Sequence, residues 1–172
     1  MPEKVKKRRP LHSLRVLMRL HAPLRRTFFE SRRAALHGAF AESLSHLEAF
    51  ERLLFAHMRD EEECILPLFK ARGGERPGAR AELFEKEHAQ MRRLLRGLKR
   101  RSRALAARGK GGSDAAALIL LDRQAQFQSL MQHHDEREKN MLYPVLDSLT
   151  SPEERRDIRC RLRWANPSRF PS

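Results

Sequence analysis

FERLLFAHMRDEEECILPLF, residues 50–69, recurs later in the chain as FQSLMQHHDEREKNMLYPVL, residues 127–146. Overlaid, Phe50 meets Phe127, Leu53 meets Leu130 and Leu54 meets Met131. His57 then meets His134, Glu61 meets Glu138, Ile65 meets Leu142 and Pro67 meets Pro144. Positions i and i+4 are neighbours on one helix face, so each His–Glu pair points the same way, off a stripe of Phe and Leu. His133 falls opposite Ala56, which makes His134 the repeated histidine. Asp60, Glu62 and Glu63 fall opposite Arg137, Lys139 and Asn140, so only the carboxylate four residues on is kept in both copies.

Outward from this repeat the chain is helical throughout. Apolar residues step by threes and fours, and no stretch alternates in the manner of a strand, so the class is all-α. With 172 residues there is enough chain for one substantial core. Helix A spans about residues 11–36 with Leu14, Leu17, His21, Leu24 and Phe28 on one face, bent at Pro23. His37-Gly38 is the turn. Helix B carries Phe40, Leu47, Phe50, Leu54, His57, Glu61, Cys64 and Leu68 on one stripe and ends in the Gly- and Pro-rich segment at 71–78. Helix C carries Phe84, His88, Met91, Leu95, Leu98 and Leu105, and stops at RGKGGSD, with Ser113 or Asp114 capping the next helix. Helix D runs from Ala115 to about Leu146 through Phe127, Leu130, His134, Glu138 and Met141. SPEE at 151–154 is a capping box that opens a short fifth helix.

Long helices with short connections predict an antiparallel up-down-up-down four-helix bundle, residues 11–147. A basic arm precedes it at 1–10, and the short C-terminal fifth helix and tail follow at 148–172. In an antiparallel hairpin, residues equidistant from the turn lie at one height. The midpoints of His21 and His57, of His57 and His88, and of His88 and His134 fall at residue 39, between 72 and 73, and at 111, all in predicted turns. Four imidazoles from four helices are therefore expected in one layer, with Glu61 and Glu138 about 6 Å away along the axis.

Buried carboxylates need a partner. One reading is a layer of hydrogen bonds; the convergence of four imidazoles and two carboxylates favours metal. The predicted ligands are His21, His57, Glu61, His88, His134 and Glu138. Nitrogen and oxygen donors without thiolate suit iron or manganese, and also zinc. The simplest arrangement puts His21 and His57 on one ion, His88 and His134 on the other, and Glu61 and Glu138 across both with an oxo or hydroxo bridge. His12, His37, His46 and His133 are assigned to solvent or the site's periphery, and Cys64, Leu66 and Tyr143 to packing.

The segments HAPLRRTFF, AHMRDEEECILPLF, FEKEHAQMRRLL and HHDEREKNMLYPVL resemble the hemerythrin family, in its cation-binding branch built on a His-His-Glu pattern. The resemblance implies a four-helix bundle, a non-haem centre of two iron ions, and binding of O2 or NO, or sensing of iron or redox state. Oxygen-carrying hemerythrins place a second histidine one turn after the helix C ligand, where this chain has Arg92. That departure favours sensing or redox chemistry over oxygen storage. A di-iron oxidase or peroxidase-like enzyme acting on O2 or peroxide is the alternative at the same residues.

The net charge is +14, from 36 Lys and Arg against 22 Asp and Glu. An acidic partner such as nucleic acid is one reading, with metal then structural. Arginine on solvated helix faces is preferred, because no nucleic-acid-binding motif accompanies the charge and there is one Trp and one Tyr for stacking. Two cysteines far apart give no disulfide framework, and Arg15 and Arg19 interrupt the first apolar run, so a cytoplasmic protein without a membrane span is expected.

Overall fold

The computed structural model describes residues 12–73, 80–108 and 114–164, and every element in them is helical. A 3-10 segment, Leu14–Leu20, leads into α1 (His21–Leu36). Then come α2 (Phe40–Asp60), α3 (Leu66–Arg72), α4 (Ala81–Ala107), α5 (Asp114–Arg137), α6 (Tyr143–Leu149) and α7 (Pro152–Arg161). The long helices α1, α2, α4 and α5 form the expected bundle, each packed on its sequence neighbours and α5 closing back on α1. Side-chain pairs fix the opposed directions. Lys99 and Arg103 of α4 meet Glu51 and Glu48 of α2 in reverse order, as Arg25 and Arg32 of α1 meet Asp135 and Gln128 of α5. The predicted arm at 1–10, the Ser113 cap and the end of the tail lie outside the described residues.

Helix A departs from expectation. Its first half is 3-10 helix, capped by Ser13, whose hydroxyl accepts from the Arg15 amide. The α-helix begins only at His21, so Pro23 sits in its first turn, directly after the 3-10 segment. Gly38 turns the chain into α2 with φ 73°, a left-handed conformation that glycine adopts without a side-chain clash. Ser151 and Glu154 form the predicted capping box at the head of α7.

Two further departures share one cause. Glu61–Ile65 and Glu138–Leu142 are π-helical turns, closed by bonds from the Leu66 amide to the Glu61 carbonyl and from the Tyr143 amide to the Glu138 carbonyl. Each lies just before a proline, Pro67 or Pro144. A proline ring has no amide to donate and collides with the carbonyl four residues back, so the ladder there widens by one residue. The extra residue rotates the buried face. Ile65 and Phe69 are buried where α-helical spacing placed Cys64 and Leu68, and Leu142 and Leu146 are buried where it placed Met141. Cys64, Leu68 and Met141 are half-buried at the margin.

The core is in two parts. One cluster is centred on Phe28, Phe50 and Phe127, whose rings lie 5.0 to 5.6 Å apart. The other gathers Leu14, Leu17, Ile65, Phe69, Phe84, Leu142 and Leu146 under α7, which contributes Ile158, with Leu162 just after it. Asp147 ties the chain ends together there, accepting from the Ser13 hydroxyl and the Leu14 amide at 2.5 and 2.8 Å.

Phe127 is fully buried between two other rings. Phe127→Ala is expected to destabilise the fold by about 3–5 kcal/mol, read from urea unfolding midpoints, through lost burial and the cavity left behind.

Candidate metal centre

Between the two apolar clusters lies a polar layer. His21 opens α1, His57 and Glu61 straddle the end of α2, His88 comes from α4, and His134 and Glu138 straddle the end of α5. All six are buried, with His88 and Glu138 at 0% exposure and none above 4%. The four histidines predicted to share one height do so. The rings of His21 and His57 are 4.7 Å apart, those of His88 and His134 4.8 Å, and those of His57 and His134 6.5 Å.

Both carboxylates point into the space between the rings. Glu138 lies 2.7 Å from His134 Nε2, 3.4 Å from His57 Nε2 and 3.2 Å from His21 Nε2. Glu61 lies 3.3 Å from His88 Nε2, 3.5 Å from His57 Nε2 and 3.8 Å from His134 Nε2. The π turns place these carboxylates, since Glu61 and Glu138 are the first residues of the widened segments. Ligand atoms of His57, Glu61, His134 and Glu138 fall within 4.8 Å of one another, and those of His21, Asp135 and Glu138 form a second such group.

Three of the rings are held from behind. His21 Nδ1 meets Asp135 at 3.0 Å, His88 Nδ1 meets Glu62 at 2.9 Å and His134 Nδ1 meets Glu87 at 2.9 Å. Each carboxylate is gripped in turn by an arginine: Asp135 by Arg25, Glu62 by Arg92 through two bonds of 2.9 and 2.8 Å, and Glu87 by Arg137. A carboxylate on Nδ1 fixes the tautomer and leaves the Nε2 lone pair facing inward, the outer arrangement of metal-binding histidines. Sequence reading missed Asp135, Glu62 and Glu87 in this role. Their only signal was adjacency to a predicted site residue, which surface acids share. Arg92, flagged as a missing ligand, lies over the Phe55 ring and serves Glu62.

His57 is held differently. Trp164 packs against it at 4.6 Å between ring centres and against His21 at 6.0 Å, while the Trp164 amide donates to buried Asp60 at 2.6 Å. Tyr143, expected only to pack, also donates its hydroxyl to Glu61 at 2.7 Å. A hollow of about 10 Å3 beside Glu61, His57 and Trp164 has room for about one water-sized molecule. His12, His37 and His133 are exposed and His46 sits by Glu42, all away from the layer.

The electrostatics follow from burial and pairing. Burial opposes charge on His134, but the Glu138 and Glu61 carboxylates outweigh it and push the imidazole up to about 10. His21 and His88 are raised by the same contest between burial and neighbouring carboxylates. Burial disfavours the Glu61 anion, yet the surrounding imidazoles hold it well below the usual carboxylate range. Burial raises Tyr143, and Glu138 and Glu61 raise it further, so it is a neutral donor. Apart from Asp60, which accepts from the Trp164 amide, five carboxylates stand here against three arginines, so neutral imidazoles leave an excess of negative charge.

The hemerythrin HHE cation binding domain family matches residues 12–146. The chain belongs to that family. No curated protein and no solved structure matches it. The hemerythrin match spans the bundle and both His–Glu repeats, and ends before α7 and Trp164. The buried imidazole–carboxylate cluster suits the cation binding that the family is named for. Among the described residues of this hemerythrin domain, no helix is long and apolar enough to cross a membrane.

Glu62 supplies a pH test. Burial raises its carboxyl, but His88 and Arg92 outweigh that and hold it at about 2, against an ordinary 4.5. A depressed carboxyl stabilises the fold above its unfolded value, and that contribution is lost as pH falls from 4.5 towards 2. Metal-free Glu62→Gln protein is therefore expected to lose less stability than the unmutated chain across this window, measured by urea unfolding at several pH values.

Proposed function

We propose that His21, His57, Glu61, His88, His134 and Glu138 hold two iron ions, and that the protein binds or senses O2, NO or redox state there. One observation carries the reading. Glu61 Oε2 and both oxygens of Glu138 are buried without a hydrogen-bond donor in good geometry, although imidazole Nε2 atoms surround them. These carboxylates are met either by protons on the rings, as at His134, or by a cation held between oxygens and nitrogens together, and the second arrangement uses all four rings at once.

The pairing of His88 with His134 and of His21 with His57 is supported by ring proximity. The Nε2 atoms of His88 and His134 are 3.2 Å apart. Two nitrogens each about 2.1 Å from one ion come to about that separation. The grouping of ligand atoms cuts across this pairing by putting His57 with His134, but Glu138 belongs to both groups, as a shared carboxylate should. Nitrogen and carboxylate donors suit iron, and manganese or zinc would fit the same set. Iron in this setting supplies reversible binding of a diatomic ligand and one-electron chemistry.

The chain's own residues set the conditions. Asp135, Glu62 and Glu87 orient the rings, Tyr143 donates to Glu61, and Trp164 covers the His21–His57 side. The hollow beside Glu61, His57 and Trp164 has room for about one water-sized molecule, which gives a small ligand a place beside the carboxylate. Oxidase or peroxidase-like turnover of O2 or peroxide at the same residues is the second reading.

Protein purified without chelator is expected to carry about two iron ions per chain by mass spectrometry, as in other two-metal bundle sites. His57→Ala combined with His134→Ala should lose them, and full occupancy in that variant would end the proposal. Iron loading should also quench the fluorescence of Trp164, the sole tryptophan.

A further inference from the structure

Away from the metal layer, the C-terminal half of α4 and the facing part of α5 flank an open cleft of about 510 Å3. Arg93, Arg100 and Arg101 of α4 and Arg123 of α5 line it, with Gly97 among them. The geometry points to a binding cleft for a phosphorylated organic molecule, with its phosphates on these four arginines and its apolar part against Leu94 and Leu98.

The charge pattern of α4 is the first ground. No Asp or Glu occurs between residues 89 and 113, although eight Arg and Lys lie between 92 and 108. On the side facing α2, the cations are matched: Arg92 with Glu62, Lys99 with Glu51 and Arg103 with Glu48. On the cleft side they are not. None of the four arginines forms an ion pair among the described residues, and Arg123 reaches only the neutral Gln126 at 3.4 Å. Like charges along one helix face destabilise it, and the helix dipole favours cations only in its last turn. Folding therefore gains little from this arrangement, whereas an anion entering the cleft gains several charge-assisted bonds at once.

Gly97 is the second ground. Glycine weakens a helix interior, and here nothing lies within 4 Å of where its Cβ would be. No neighbouring atom requires the missing side chain. Its effect is to leave the cleft floor open between Arg93 on one side and Arg100 and Arg101 on the other.

Size and lining decide the ligand class. About 500 Å3 is the scale of a cleft for a small organic ligand. Guanidinium groups match phosphate oxygens in pairs, and buried Leu98 with half-buried Leu94 offers the apolar contact that inorganic phosphate cannot use. A nucleoside polyphosphate has both parts.

The test is calorimetric titration of the full chain with ATP, with pyrophosphate, and with a single-stranded oligonucleotide. Saturable binding of one ATP per chain is expected, tighter than pyrophosphate, and weakened about tenfold or more by Arg100→Ala with Arg101→Ala. Gly97→Trp should fill the cleft and abolish binding. Both variants should keep the metal content and helical circular dichroism of the parent, because these positions are outside the core and the metal layer. Absence of ATP binding, pyrophosphate bound as tightly as ATP, or affinity unchanged in the arginine variant would each overturn the assignment. So would an oligonucleotide bound more tightly than ATP and unaffected by Gly97→Trp, which would make this face an open nucleic-acid surface.

Discussion

Two carboxylates and four imidazoles share a space from which water is nearly excluded. Glu138 has 0% exposure and Glu61 2%, between two apolar clusters rich in Phe and Leu. Bare anions in such surroundings are costly, so positive charge has to be supplied from within, by protons on the rings or by cations held between them. Much else in the molecule serves that requirement. Three acid–arginine pairs clamp the backs of the rings, Tyr143 donates to Glu61, and Trp164 covers the side that α1 and α2 leave open. These supports come from five helical elements and from the segment after α7, so the layer is a product of the whole fold and not of one motif.

The repeated proline is the local device behind this. In each His–Glu copy the helix widens immediately before Pro67 or Pro144, and the glutamate stands at the first residue of the widened turn. A continuous α-helix would have kept the face set by His57 and Glu61 through Cys64 and Leu68. The widened turn moves burial to Ile65 and Phe69, and the second copy makes the same substitution with Leu142 and Leu146. The glutamates and the apolar residues beneath them are thereby given separate orientations.

The bundle and the depth of its polar layer were legible in the sequence because both rest on counting. Apolar spacing marks the helices, and equal distances from turns bring His21, His57, His88 and His134 to one height. What escaped reading has physical reasons. The prolines were noticed as part of the repeat, yet their effect on hydrogen-bond spacing requires knowing that the helix continues past them. Asp135, Glu62 and Glu87 were hidden because an acid beside a site residue looks the same whether it faces solvent or an imidazole. Trp164 lies 107 residues beyond His57 in the chain, and its approach depends on how α7 crosses the bundle end. The first half of helix A was read as α-helix, since a short 3-10 stretch buries its apolar residues at nearly the same spacing.

The polar layer also partitions the interior. Hydrocarbon above it, around Phe28, Phe50 and Phe127, forms one cluster, and hydrocarbon below it, around Phe69, Phe84 and Leu142, forms another; half-buried Leu20 touches both. Mechanical continuity between the two halves therefore runs mainly through the helix backbones and the imidazole–carboxylate contacts. Ions seated at that boundary would act as rivets across all four long helices, so that the two halves melt as one when loaded and gain freedom to loosen separately when stripped.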